Sequence, residues 1–248
     1  MVELDLRICR AALLIVVGLA CRTKEKAGEQ AAPAPKAASF DLKAIGKATS
    51  DKPVIDDFED NDVDISLFDD RSGSWYTYKD KNGTTLSPDP LTLTGEGANG
   101  SKQAIRIFGK TGLNVDTFAG LGVPLSETLM PYDLTGVSGI CFRAKGTGTA
   151  RVMLPDINTF PQGGRCKSCY NSFGKDFQLT SDWQDLCFRF EKMAQKQGWG
   201  EPVAALAVDK VFGIQFQIYK HDASYDLSID DIRWSCDAPT QPAAAPPP

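Results

Sequence analysis

Residues Val211 to Tyr219 read VFGIQFQIY. In an extended chain Phe212, Ile214, Phe216 and Ile218 fall on one side, and Gly213, Gln215, Gln217 and Tyr219 on the other. A period of two marks a strand with one face on a core and one on water. The same period recurs on both sides of this stretch. Lys102 to Gly109 (KQAIRIFG) sets Ile105 and Ile107 against Ala104, Arg106 and Phe108. Val137 to Lys145 sends Ile140, Phe142 and Ala144 inward, with Cys141 and Arg143 outward. Trp183 to Glu191 sends Leu186, Phe188 and Phe190 inward, with Cys187 and Arg189 outward. Tyr225 to Trp234 (YDLSIDDIRW) supplies a last strand. No long window carries a helical stripe, and Lys192 to Gln197 reads as a single turn. Many short strands bounded by Gly, Pro, Asn and Asp predict an all-β, two-sheet antiparallel sandwich of the jelly-roll kind.

The ends of the 248-residue chain read differently. Ala11 to Ala20 (AALLIVVGLA) is apolar, follows Arg7 and Arg10, and is too short to span a bilayer, so it fits the core of a secretion signal. It ends Gly18-Leu19-Ala20-Cys21, which resembles the lipobox of bacterial lipoproteins. That resemblance implies acylation of Cys21 after removal of the residues before it; plain cleavage after Ala20 is the rival. Arg22 after the cysteine resembles the pattern of outer-membrane sorting. Residues 22–52 are Ala-, Pro- and Lys-rich and are expected to form a solvated tether. Residues 238–248 (APTQPAAAPPP) have the same character, leaving 53–237 as the folded unit.

Within that unit, IDDFED (Ile55 to Asp60), GSWYTYKD (Gly73 to Asp80), FAGLGVPL (Phe118 to Leu125), GICFRAKG (Gly139 to Gly146) and YDLSIDDIRW come in one order. Together they resemble the carbohydrate-binding jelly rolls of the family 11 type and the related galactose-binding-like domains of secreted bacterial proteins. Leu154 to Gly200 resembles a subgroup from soil-dwelling bacteria. The resemblance implies two antiparallel sheets, one concave, and glycan binding without catalysis.

Asp56, Asp57, Glu59 and Asp60 sit at the first strand, Asp230 and Asp231 in the last. Jelly rolls bring first and last strands together, and converging carboxylates repel unless a cation joins them. Calcium suits such oxygen-rich, irregular sites, and the resemblance implies a structural calcium here. Glu59 and Asp231 are the expected ligands, with Asp57 and Asp230 as further ones. Two other readings are acids that merely decorate strand ends, and a glycosidase pair, for which no compact acidic motif is present.

A ligand floor is expected on the outward side of the Val211 to Tyr219 strand. Gln215 and Gln217 would bond paired sugar hydroxyls and Tyr219 would stack on a pyranose, while Gly120 and Gly122 keep the floor low. Arg151 and Met153 are expected to face the same way. The loop Asp156 to Lys175 offers Arg165, Lys167, Tyr170 and Asn171 at one rim; Tyr76, Tyr78, Lys220 and His221 would line others. Trp75, Trp183, Trp199 and Trp234 read as core.

Seven cysteines minus Cys9 and Cys21 leave five, expected to pair in an oxidising envelope. Cys141 and Cys187 occupy matching Cys-Phe-Arg steps, and jelly-roll order makes their strands neighbours, which suggests a cross-strand disulfide. Cys166 and Cys169 would close the long loop, a pair the resemblance also implies. Cys236 is then left over, unless it takes Cys141. A redox role for Cys166-Lys167-Ser168-Cys169 lacks the following helix that would lower a thiol pKa. A four-thiolate zinc site would need a second such pair.

The function classes narrow accordingly. A net charge of −5 with no basic cluster argues against nucleic acid. The single histidine, His221, excludes His-rich zinc sites and leaves little for a catalytic triad. The reading is a monomeric, non-catalytic envelope lipoprotein whose domain binds a glycan or polysaccharide. The alternatives are a structural or protein-interaction lipoprotein on the same scaffold, and, third, a jelly-roll hydrolase or lyase.

Overall fold

The computed structural model describes residues 42–235. The signal segment, Cys21, Cys236 and the Pro/Ala tail lie outside the described residues. Eleven strands follow one another: β1 (Val54–Asp56), β2 (Tyr76–Lys79), β3 (Leu93–Thr94), β4 (Ala104–Lys110), β5 (Ala119–Pro124), β6 (Gly139–Thr147), β7 (Thr149–Leu154), β8 (Phe173–Gln178), β9 (Gln184–Arg189), β10 (Gly213–Ile218) and β11 (Ser224–Ser235). They form two antiparallel sheets, one ordered β3-β4-β11-β6-β9 with β1 beside the end of β11, the other β2-β5-β10-β7-β8. This is the expected jelly-roll sandwich.

The inward positions of both sheets meet in one core. Phe142 of β6 stands edge-on to Phe216 of β10, with ring centroids 4.8 Å apart, and to Phe177 of β8 at 5.2 Å. Trp75 covers the other side of Phe216 at 6.2 Å. Edge-to-face pairs add to the area the rings bury, so this aromatic spine ties one sheet to the other. Ile214, Phe216 and Ile218 join the core as their period predicts. Phe212 is buried too, but its ring packs 5.8 Å from Phe160 of the long loop and lines a hollow on the outer face of its sheet.

Phe212 thus departs from its expected place in the core, and three further expectations are corrected. The tether does not run to residue 52. Ile45 N–H donates to the Pro131 carbonyl, Ala48 N–H to the Asp133 carbonyl, and Ala48 is part of the core, because the segment KAIGKA carries just enough apolar surface to dock. The helical turn falls at Phe190–Lys192 rather than 192–197. The alternation of YDLSIDDIRW slips by one residue. Asp230 pairs with Arg143 and Arg233 with Cys141, so Asp231 and Ile232 together face Phe142. Asp231 takes a left-handed φ of 49° at this bulge. One extra residue moves the inward set from Leu227 and Ile229 to Ile232 and Trp234, which keeps all four in the core.

Cys141 and Cys187 lie directly opposite each other on β6 and β9 and form a disulfide; Cys166 and Cys169 form another. The first closes a separation of 46 residues and the second one of 3. Loop-closure entropy assigns about 4 kcal/mol to the first and under about 2 to the second. Cys141→Ser with Cys187→Ser is therefore expected to lower the urea midpoint well beyond the change from Cys166→Ser with Cys169→Ser. Equal shifts would refute that ranking.

Candidate functional site

The outer face of the β2-β5-β10-β7-β8 sheet is set by register. One row across it runs Tyr76, Gly122, Gln215, Met153, Gly174, and the next runs Tyr78, Gly120, Gln217, Arg151, Asp176. Paired residues share a face, so each glycine leaves a gap beside a tyrosine and a glutamine. The tyrosines fill those gaps. A Cβ on Gly122 would stand 2.6 Å from the Tyr76 ring, and one on Gly120 would stand 2.5 Å from the Tyr78 ring. Both rings therefore lie across β5, 6.0 Å apart, and reach the glutamines. Tyr78 Oη donates to Gln217 Oε1 at 3.3 Å, and Gln215 Nε2 donates to Tyr76 Oη at 3.3 Å. Burial pushes the Tyr78 phenol well above its ordinary pKa, so it stays a neutral donor.

The far side of the face is held by charge. Arg151, only 5% exposed, donates to Asp176 at 2.8 Å and to the Ala194 carbonyl. Lys196 Nζ donates to Asp176 at 2.5 Å and to Tyr219 Oη at 3.0 Å, and sits 4.2 Å over the Tyr219 ring. Burial raises the Asp176 pKa, but the bonds from Lys196 and Arg151 outweigh it and hold the carboxyl below its usual range. Arg151 is thus a support beneath a loop, and Lys196 already covers one face of Tyr219.

The long loop begins after β7 and stops at Ser172, with a 3-10 turn at Pro161–Gly163 that its sequence does not announce. It brings Phe160 over the sheet. Phe160, Tyr76, Leu129, Phe212, Gln162 and Gln215 are among the residues around a hollow of about 240 Å³. Tyr170, 61% exposed, stands edge-on to Phe160 at 6.0 Å. Asn171 is buried rather than at the rim. Its side-chain N–H groups donate to the Lys196 and Trp199 carbonyls at 2.8 and 2.7 Å, which pins the 196–199 segment. Trp199 is 51% exposed, against its expected place in the core, because it rides a turn between Gly198 and Gly200, both at positive φ. Trp183 is partly exposed beneath Lys145, while Trp75 and Trp234 are core.

Tyr78, Gln215, Gln217, Arg151 and Tyr219 therefore share one face, and Tyr170 joins through Phe160. His221 does not. It lies exposed in the turn from β10 to β11 and makes no hydrogen bond to this face. Phe160, Leu129, Lys196 and Asp176 were not legible as site residues. Asp176 and Lys196 carry no motif, and Phe160 depends on how a patternless loop folds.

At the acidic end, β1 and β11 do lie side by side. Asp56 is buried and accepts the Trp75 indole N–H at 2.8 Å; burial pushes its carboxyl up to about 7. Glu59 Oε1 accepts the Lys102 and Gln103 backbone N–H groups at 2.7 and 3.1 Å, and Asp230 Oδ2 accepts Ala98 N–H at 2.7 Å. Glu59 and Asp230 thus grip one loop from two sides. Asp231 turns instead to Arg143 at 2.5 Å, and Asp57 accepts Glu59 N–H at 3.3 Å. Among the described residues no group of three or more His, Cys, Asp or Glu is arranged to hold an ion. The donor chemistry nevertheless suits a hard cation. Asp230 is buried with its pKa raised by that burial, and Gln103 Oε1 is a buried oxygen with no hydrogen-bond donor.

No protein-family model and no curated protein matches this sequence. Solved structures do share its fold. The family 11 carbohydrate-binding module of a cellulosomal cellulase of Clostridium thermocellum superposes with a TM-score of 0.55 at 16% identity, over 77% of this chain and 96% of that one. A family 11 module from the same organism, solved with a β-1,3-1,4-mixed-linked tetrasaccharide, gives 0.52 at 16% identity, over 78% and 97%. An exo-β-agarase gives 0.50 at 13% identity, over 75% of this chain but only 25% of that one. The fold is that of a carbohydrate-binding-module-like jelly roll.

Proposed function

We propose that this chain is a non-catalytic glycan-binding domain of an exported, lipid-anchored envelope protein, and that it binds on the outer face of the β2-β5-β10-β7-β8 sheet. The observation that carries this reading is the pair of rows in which Tyr76 and Tyr78 lie over Gly122 and Gly120 against Gln215 and Gln217. Tyrosine offers a ring for the C–H face of a sugar, and a carboxamide matches paired hydroxyls. Few groups are immobilised on so open a floor, so affinity is expected in roughly the micromolar to millimolar range.

Affinity electrophoresis of the purified full chain against a polysaccharide panel tests the reading, with mixed-linked β-1,3-1,4 glucan first because a solved neighbour holds that sugar. Retention by at least one polysaccharide supports it. Retention by none would favour a protein-interaction role on the same scaffold.

The anchor and the cation belong to the same proposal. Palmitate labelling in a bacterial host is expected for the full chain and is lost in Cys21→Ala; label that survives the substitution contradicts lipidation at Cys21. Calcium would take Glu59, Asp230 and the Gln103 oxygen, and would pin the 97–103 loop between β1 and β11. EDTA is then expected to lower the thermal midpoint by several degrees, as about 1 kcal/mol does in a domain of this size. An unchanged midpoint argues against a structural ion.

A further inference from the structure

At the Gln215 end of the floor, the polar surface gives way to the hollow of about 240 Å³ walled by Pro124, Leu129, Phe160 and Phe212, with Gln162 and Gln215 beside them. A sugar hydroxyl pressed into such a wall loses its water and finds no partner, whereas a methyl group gains by leaving water. The two amides ask for something more specific than a methyl. Gln215 gives an N–H to Tyr76, which leaves its carbonyl oxygen to accept. Gln162 is exposed, and its side chain makes no hydrogen bond among the described residues, so it offers both a donor and an acceptor. An acetamido group carries the complement of all three features: a methyl for the wall, an N–H for a carboxamide oxygen, and a carbonyl for a carboxamide N–H. An O-acetyl ester lacks the donor, and a deoxy sugar lacks both polar partners.

We infer that this end of the face is a subsite for an N-acetylated sugar, so that the domain prefers glycans bearing 2-acetamido groups. The inference rests on the proposed glycan-binding role of the same face and adds the class of sugar.

Isothermal titration of the full chain with chitotetraose and with cellotetraose tests it, since both are β-1,4 linked and differ at C2. Chitotetraose is expected to bind about tenfold more tightly, the order that one buried methyl and one amide hydrogen bond supply. Leu129 is 40% exposed, so Leu129→Gln tests the wall with little disturbance of the fold. That substitution is expected to bring chitotetraose affinity down toward that of cellotetraose. Equal binding of the two sugars, tighter binding of cellotetraose, or a chitotetraose preference that survives Leu129→Gln would overturn the subsite and leave the glycan-binding face standing. Binding of neither tetrasaccharide, with no retention on the polysaccharide panel, would overturn both. Retention on the panel without chitotetraose binding would overturn the subsite alone.

Discussion

Phe216→Ala is expected to lower the unfolding free energy by about 3–5 kcal/mol, the range for truncating a fully buried phenylalanine. Phe216 has no exposed surface and touches aromatic partners on both of its sides, Phe142 from the opposite sheet and Trp75 from the segment before β2. The cavity cannot collapse easily, because β10 is hydrogen-bonded to β5 on one flank and to β7 on the other. Urea unfolding of the two proteins measures the difference. Phe216→Leu keeps most of the volume, loses the edge-to-face contacts and should cost clearly less. A loss below about 1 kcal/mol for alanine would mean that the aromatic spine does not join the sheets as described.

The second large effect concerns binding. Tyr76→Ala combined with Gln217→Ala removes one stacking ring and one carboxamide from adjacent rows of the floor. Each is worth about 1–1.5 kcal/mol, so together they are expected to weaken glycan retention by about 100-fold, which takes a weak binder out of the measurable range. Neither side chain belongs to the buried core, and the thermal midpoint should change little. Tyr219→Ala is expected to do less, since Lys196 occupies one face of its ring. Retention that survives the double substitution places the ligand elsewhere.

The parts legible in the sequence are those governed by short-range alternation. VFGIQFQIY announces Ile214, Phe216 and Ile218 as its inward set but misplaces Phe212, which lines the outer hollow, and the match between the two Cys-Phe-Arg steps anticipates a cross-strand bridge that the structure contains. What stayed hidden depends on long-range placement. The bulge at Asp231 is silent in YDLSIDDIRW because two consecutive aspartates read alike, yet it sends one carboxylate into the interior and the other to Arg143. The hollow needs Phe160 and Leu129, which come from separate loops far apart in sequence and are neighbours only in the folded chain. Trp199 looked like core because tryptophan usually is, but flanking glycines at positive φ hold it out in solvent. The early end of the tether shows the same thing in reverse, since Ile45 and Ala48 are too sparse to form a pattern and still find the domain surface.

The most direct test of the central claim is a chemical-shift titration of isotope-labelled protein with a polysaccharide fragment that the full chain retains. Perturbations are expected to concentrate on Tyr76, Tyr78, Gly120, Gly122, Gln215 and Gln217, with Arg106, Arg143 and Asp226 of the other sheet unmoved. Shifts confined to the β4-β11-β6 surface, with the tyrosine and glutamine rows unchanged, would contradict it.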